Sequence, residues 1–251
     1  MSRSAVIVQA RLRATRLPGK VMINIAGKSL LAHVLERCGA IPGIDEVVCA
    51  IPLGAGDDVL AAEALRLGVL VVRGPEDDVL ERYRMGAERA RADAVLRVTA
   101  DCPLIDPAVC GEVLALVARG AAQFASNNDP PSWPHGLDCE AFPRDWLERA
   151  AREAQKPSER EHVSPFIRHF PGIRRANLAC PLKGVHHHRW SVDYPEDLAF
   201  MREMFARLPE GPEGWNWRVP LAIAEADPGL AGLNARPDPY IGYHQALAAE
   251  A

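Results

Sequence analysis

Long hydrophobic runs are missing from this sequence. No stretch approaches the roughly 20 apolar residues that a bilayer-spanning helix requires, so no membrane partner is expected. The first apolar run, Ala5 to Val8, is cut off by arginines and is too brief for a secretory leader. The six cysteines form no C-x-x-C pair and mostly lie in apolar or strand-like runs. They read as reduced, largely buried thiols of a cytoplasmic protein. Net basic charge is absent too, and a formal charge of −4 argues against a nucleic-acid partner. Internal repeats, low-complexity tracts and linker composition are also missing. At 251 residues, with 48% hydrophobic and 25% charged content, the chain fits a single globular domain over 1–251.

The most informative lack is local. No acid precedes Glu36, while residues 1–37 carry seven Lys or Arg. Four of these cations crowd into QARLRATRLPGK, Gln9 to Lys20, directly after the first apolar run. On an acidic protein, such a concentration suits a small anion better than a long polyanion. A Walker loop and a G-x-G-x-x-G turn are both absent. The stretch is therefore either a solvated basic connection or an anion grip of another kind, with backbone N–H groups offered by the turn at Pro18-Gly19.

The hydrophobic rhythm supplies the frame. Near-continuous Val, Ile, Leu and Ala runs at 5–10, 46–51, 69–74 and 94–100 predict strands buried on both faces of a parallel sheet. Helices are expected at 29–38 with Ser29 as N-cap, at 57–68 and at 77–91. Strand and helix in alternation predict a three-layer α/β fold. Beyond residue 120 the rhythm breaks. Residues 126–136 are turn formers, helices are expected at 143–155 and 159–169, and a strand-like 187–194 leads into a helix over 195–207.

Four further motifs could carry chemistry. RVTADCPLIDP (97–107) ends a strand at Thr99-Ala100-Asp101, beside the basic loop, where a divalent metal could bridge phosphates; Asp there also caps turns. HHHRWSVDYPEDL (186–198) offers Asp193 as a second carboxylate facing Asp101, or as a plain turn residue. His186 and His188 would share one strand face, but no third ligand sits at zinc spacing. PHGLDCE (134–140) suggests a strand with Asp138 and Glu140 on one face, either addressing an acceptor or lying on an exposed edge. In PSEREHVSPF (157–166), Ser158 is expected as N-cap with Glu161 at N3, so that Arg160 and His162 face either a ligand or solvent.

Together, QARLRATRLPGK, AGKSLLAHVLER, RGPEDDVLERY, RVTADCPLIDP, HGLDCE, PSEREHVSPFI and HHRWSVDYPEDL resemble the cytidylyltransferases that activate sugars as CMP derivatives. They are most similar to the spore-coat polysaccharide biosynthesis F branch of that family. The resemblance covers about residues 5–205. It implies a Rossmann-like, GT-A-like nucleotide-diphosphosugar transferase fold with a mixed, mostly parallel sheet. It also implies a nucleotide-binding half at 1–120 and an acceptor-binding and dimerisation half at 121–251. Carried over, the phosphate-binding loop falls on Arg11, Thr15, Arg16 and Lys20; Gln9, Ala10, Arg13 and Thr99 join them as nucleotide-binding residues, and Arg73 and Asp78 fall near the base. Mg²⁺ would be held by Asp101 and Asp193. His135, Asp138, Glu140, Arg160, His162 and His187 fall on the acceptor side. The implied reaction transfers CMP from CTP to a sugar-like acceptor, with Arg16, Lys20 and Asp101 as the catalytic set, in a homodimer.

One departure stands out: Ala14 occupies a position where relatives place a hydroxyl. A glycosyltransferase on the same fold usually carries D-x-D, and Asp101-Cys102-Pro103 does not match. A non-catalytic nucleotide-binding protein is the other alternative. The loop cations are expected to be exposed and to contribute little to stability.

Overall fold

The structure is a computed structural model that describes residues 2–14 and 16–235. After β1 (Ser4–Gln9) comes the basic loop, then a small hairpin of β2 (Asn24–Ile25) and β3 (Lys28–Ser29). Next are α1 (Leu30–Gly39), β4 (Glu46–Pro52), α2 (Asp58–Arg66), β5 (Leu70–Gly74), α3 (Val79–Ala90) and β6 (Ala94–Thr99). The second half holds α4 (Pro107–Ala118), β7 (Phe124–Ser126), β8 (Glu140–Pro143), α5 (Arg144–Glu153), α6 (Pro157–His162), α7 (Pro165–Arg168) and β9 (Arg175–Asn177). It ends with α8 (Pro195–Phe205), α9 (Arg218–Ala226) and α10 (Pro228–Gly232).

The main sheet has seven strands in the order β5-β4-β1-β6-β8-β7-β9, a mixed and mostly parallel arrangement. Among its described strands only β8 runs against the rest. Alternate residues of β1 feed opposite faces. Val6 and Val8 join the core under α1, α4 and α8, while Ala5 and Ile7 join the core under α3 and α5. A strand buried on both sides has no polar face, which is why its sequence reads as one apolar run. The chain winds outward from β1 through β4 to β5, then returns to place β6 on the other side of β1. That reversal opens a crevice at the carboxyl ends of β1 and β6.

Local signals set the helices. Ser29 Oγ accepts the Ala32 N–H at 3.0 Å and starts α1, whose Leu30, Leu31, Val34, Leu35 and Cys38 are buried. Asp78 caps α3 through the Glu81 N–H, and Asp106 caps α4 with Pro107 at its first position. Of the six cysteines, all free thiols, five are buried and Cys180 is partly so. Among the described residues, no helix is long and apolar enough to cross a membrane.

Three expected elements differ. Residues 187–194 form no regular strand: Gly184 turns the chain in the left-handed region (φ 81°), Val185–His187 makes a tight turn, and only His135 and Arg189 bridge. His186 and His188 therefore share no strand face. In PHGLDCE the strand begins only at Glu140, and Asp138 is spent on the Gly136 N–H at 2.7 Å. The third is the helix expected at 159–169: α6 starts earlier and is shorter. Pro157 sets its first position, and Glu159, not Glu161, accepts the Lys156 N–H. Val163 then breaks it from α7 at φ 69°.

Gly136 shows why 134–139 cannot be a strand. Its φ is +110°, and a Cβ there would lie 2.5 Å from the Trp190 carbonyl carbon and 2.8 Å from the Ser191 nitrogen. Backbone meets backbone, so nothing can give. Gly136→Ala is expected to cost about 2 kcal/mol or more, read as a lower midpoint in urea unfolding. Nearby His188 is pushed down to about 4, first by burial and then by the charge of His187. The unfolded chain takes up that proton at a higher pH, so this contribution to stability is complete above the ordinary His range. It is lost as pH falls toward 4. His188→Asn should flatten the decline in melting temperature between about pH 6.5 and 4 relative to wild type.

Candidate active site

A cavity of about 400 Å³ opens over the carboxyl ends of β1 and β6. The basic loop supplies Gln9, Ala10, Arg11, Arg13, Arg16 and Lys20 to its wall. Thr99 and Asp101 come from the end of β6, Asp193 from the segment before α8, and His162 from the end of α6.

The loop is held from several sides. Ala10 N–H donates to the Ala50 carbonyl at 3.1 Å, and Leu12 N–H donates to the buried Asp57 at 2.8 Å. Gly19 adopts φ 70°, and its N–H donates to the Leu12 carbonyl at 2.9 Å, while Lys20 N–H reaches the Leu17 carbonyl. The turn at Pro18-Gly19 thus spends these two N–H groups on its own closure instead of offering them to a ligand. Positive charge, not turn amides, is what this part of the loop presents.

Each cation of the loop has an acidic partner from another segment. Arg11 pairs with Glu161 at 3.3 Å, Arg13 with Glu76 at 3.2 Å and Arg16 with Asp193 at 3.1 Å. The Arg16 guanidinium also lies over the Tyr194 ring. These three arginines are substantially exposed, so their ion pairs are weak and screened by salt. Lys20 is different. Its side chain is only 11% exposed, against the expectation of a solvated loop cation. Its ammonium donates to Asp101 Oδ2 at 3.0 Å, Asp193 Oδ1 at 2.9 Å and the Val192 carbonyl at 2.7 Å.

Charges in this cluster fix one another. Burial works to raise the Asp101 carboxyl, but the Lys20 charge and hydrogen bonds from Thr99 and Lys20 outweigh it and hold it well below the usual range. Burial and Asp101 both push Asp193 up, yet Lys20 and Arg189 bring it below its ordinary value. Lys20 is raised, because the two carboxylates overcome the burial that opposes its charge. All three are ionised at neutral pH.

Behind them lies a layer that sequence reasoning missed. Arg189 donates to Asp193 Oδ2 at 2.6 Å and to Asp197 Oδ1 at 3.0 Å. Asp197 is fully buried and accepts the N–H groups of Asp193 and Tyr194 at 2.9 and 3.0 Å. Asn234 closes the set, donating to Asp197 and to the Arg189 carbonyl. Asp197 is more than a dipole partner in the first turn of α8. It fixes the backbone that carries Asp193.

Two further arginines line the cavity. Arg97 interrupts the apolar run of β6 and pairs with the buried Glu140 at 2.9 Å. Arg82 lies on the buried face of α3 and donates to the carbonyls of Pro75 and Glu76, pinning the loop after β5. Arg97 was signalled in the sequence, as a single charge inside an apolar run; Arg82, between Glu81 and Arg84, was not.

Other expected residues lie elsewhere. Glu140 is buried against Arg97 and Arg168 and does not line the cavity. Arg73 turns to Asp58 and the Gly54 carbonyl, and Asp78 pairs with Arg160 while capping α3. His135 pairs with Asp138 at 3.1 Å, and His187 is exposed beside the Gly184 carbonyl. Thr15 lies outside the described residues.

Among the described residues no group of three or more His, Cys, Asp or Glu could hold a metal ion. The donor set fits Mg²⁺ nonetheless. That ion takes one or two carboxylates and completes its shell with water and substrate phosphates, and Asp101 and Asp193 meet at one point against Lys20, with Arg16 beside it. No comparable thiolate or imidazole set is offered there.

Comparison with known proteins gives the family and the fold. The family model described as Cytidylyltransferase matches residues 5–202. The spore coat polysaccharide biosynthesis protein SpsF of Bacillus subtilis (strain 168) is 29% identical over 217 residues, covering 82% of this chain and 88% of that protein. A 3-deoxy-manno-octulosonate cytidylyltransferase of Anaeromyxobacter dehalogenans (strain 2CP-C) is 36% identical over 125 residues, 48% of this chain and 50% of that protein. Among solved structures, a cytidylyltransferase from Leptospira borgpetersenii serovar Hardjo-bovis (strain JB197) superposes with a TM-score of 0.87 at 24% identity. That match covers 95% of this chain and all of the other.

The buried layer makes a measurable demand. Asp197→Asn leaves Arg189 short of a buried counter-charge and is expected to lower stability by about 3 kcal/mol in urea unfolding at neutral pH. Arg13→Ala, at the most exposed pair, should change it by less than about 0.5 kcal/mol.

Proposed function

The chain belongs to the cytidylyltransferase family, a family of nucleotidyltransferases, and on that premise we propose that it transfers CMP from CTP to a sugar-like acceptor for a surface polysaccharide or glycan. The observation that carries this reading is the convergence of Arg16, Lys20, Asp101 and Asp193 at one end of the cavity. In such a transfer an acceptor oxygen attacks the α-phosphorus of CTP in line, the bond between α-phosphorus and bridging oxygen breaks, and pyrophosphate leaves. The protein needs to position and neutralise more than to exchange protons. That is why the site is built from cations and two carboxylates, without a nucleophile and its base.

Arg11, Arg13, Arg16 and Lys20 hold the β- and γ-phosphates and stabilise the charge that grows on pyrophosphate. Asp101 and Asp193 hold Mg²⁺, which when bound supplies further charge neutralisation at the phosphates. Thr99 fixes Asp101 through its hydroxyl, and Arg189 fixes Asp193. Gln9 and Arg82 also line the cavity, with a buried carboxamide oxygen and a buried guanidinium N–H that no protein group engages, and we assign them to the nucleotide. The names of the relatives support a polysaccharide setting and a sugar-acid-like acceptor. The protein works in the cytoplasm, as a homodimer.

The test is pyrophosphate release with Mg²⁺, each NTP in turn, and a panel of sugar acids, sugar phosphates and phosphonates. CTP with at least one acceptor should release pyrophosphate, and Arg16→Ala should reduce turnover roughly 10²- to 10³-fold. Transfer or hydrolysis of a nucleotide-sugar, with no pyrophosphate from any NTP, would sink the proposal.

A further inference from the structure

Lys20 sits where a metal would have to sit. Its ammonium lies between Asp101 Oδ2 and Asp193 Oδ1, at 3.0 and 2.9 Å. The other oxygen of each carboxylate is also engaged. Asp101 Oδ1 accepts from the Thr99 hydroxyl and the Cys102 thiol, and Asp193 Oδ2 accepts from Arg189, itself only 3% exposed. These donors are held by the sheet end and the buried layer around Asp197. Lys20 and Arg16, by contrast, belong to the basic loop. The two oxygens that can be released to a metal are therefore the pair that faces Lys20, and a Mg²⁺ or Mn²⁺ bridging that pair would need the place the ammonium fills.

Charge leads to the same place. Lys20, Arg16 and Arg189 are matched by Asp101, Asp193 and Asp197, three cations against three carboxylates in contact. A divalent ion entering alone would add two positive charges to a partly buried, already neutral cluster. A triphosphate entering alone would meet two carboxylates. Entering together, they let Lys20 and Arg16 pass to phosphate oxygens while the vacated carboxylate oxygens take the metal, and neither the cations nor the carboxylates are left unpaired. The remaining loop pairs, Arg11–Glu161 and Arg13–Glu76, are exposed and weak, so releasing those arginines to phosphate costs little.

We propose that Lys20 is a built-in counter-ion that occupies the metal position until the nucleotide triphosphate draws it away, so that the site admits metal with the nucleotide and resists metal alone. This rests on the proposed function in taking a metal–triphosphate as the ligand, and it adds the coupling between the two. Lysine here has two successive partners, the carboxylates and then the phosphates. It follows that deleting a residue of the binding site should improve one of its binding functions. Without Lys20, the carboxylates are left with an uncompensated negative charge that a metal relieves.

The experiment measures Mn²⁺ binding by the electron paramagnetic resonance of free Mn²⁺, with no nucleotide present, on the full chain. Lys20→Met should bind Mn²⁺ about tenfold more tightly than wild type, within the range usual for coupled sites. In Lys20→Met/Asp101→Asn the gain should vanish. Mn²⁺ alone should also raise the melting temperature of Lys20→Met by several times the shift seen for wild type, since bound metal stabilises the folded form. If Lys20→Met is too unstable to purify, Lys20→Gln serves, and it carries the same expectation. Equal Mn²⁺ affinity in wild type and the Lys20 variants overturns the proposal, and so does a gain that persists in the double variant. Failure of the CTP assay with the Mn²⁺ gain intact would instead overturn the reaction and leave the counter-ion standing.

Discussion

The parallel, in-register pairing of β1 with β6 is the constraint on which the site depends. It opposes Gln9 to Thr99, so the two strands finish side by side. From that common edge the chain must leave in two directions, as the basic loop and as the Thr99-Ala100-Asp101 turn. Backbone bonds hold the exits together: Ala100 N–H donates to the Gln9 carbonyl, and Val192 N–H to the Asp101 carbonyl. The second of these draws in the segment that carries Asp193, 92 positions after Asp101 in sequence. Placement of the candidate site is thus a by-product of strand register and of these two main-chain bonds.

The site also inverts the usual relation between exposure and importance. The loop arginines look prominent in sequence and are the loosely held members: Arg11 and Arg13 sit in screened pairs with surface acids, and Arg16 reaches Asp193 from an exposed position. The decisive contacts are those with little exposure: Lys20 between two carboxylates, and Arg189 between Asp193 and Asp197. Burial penalises the charges of Lys20, Asp101, Asp193 and Arg189, and each is retained because its partners outweigh the penalty. Such a cluster is rigid where it is buried and adjustable at the one edge where loop cations enter.

The first 120 residues were the legible part of the fold. Strands at 4–9, 46–52, 70–74 and 94–99 fall within a residue or so of their apolar runs, because a doubly buried strand has no other pattern to show. Ser29 announces its helix by capping chemistry that acts over three residues, whereas the helix that Asp106 caps was not foreseen. The second half was harder to read because its conformation is set by distant backbone. Gly136 is packed on the Trp190 carbonyl, and the extended 188–192 segment pairs with one residue of the 134–139 turn and then with Asp101, which no local period can encode. At the site, the cationic loop and strand-end carboxylates stood out by residue type. Arg189, Asp197 and Arg82 did not, since a buried arginine is told from a surface one only by what surrounds it.

The wiring around Asp197 also redraws the boundaries of the functional unit. The matched family region closes at residue 202, yet Asn234, beyond α10, donates to Asp197 and to the Arg189 carbonyl. Arg37 in α1 likewise holds the carbonyls of Gly214 and Trp215, while Asp106 takes the Trp217 N–H. The stretch from 203 to 235 is therefore a brace, threaded back through the molecule to steady a carboxylate that precedes it. A chimera or minimal fragment cut at the end of the shared region would keep every residue that lines the cavity and lose the scaffold that aims one of them.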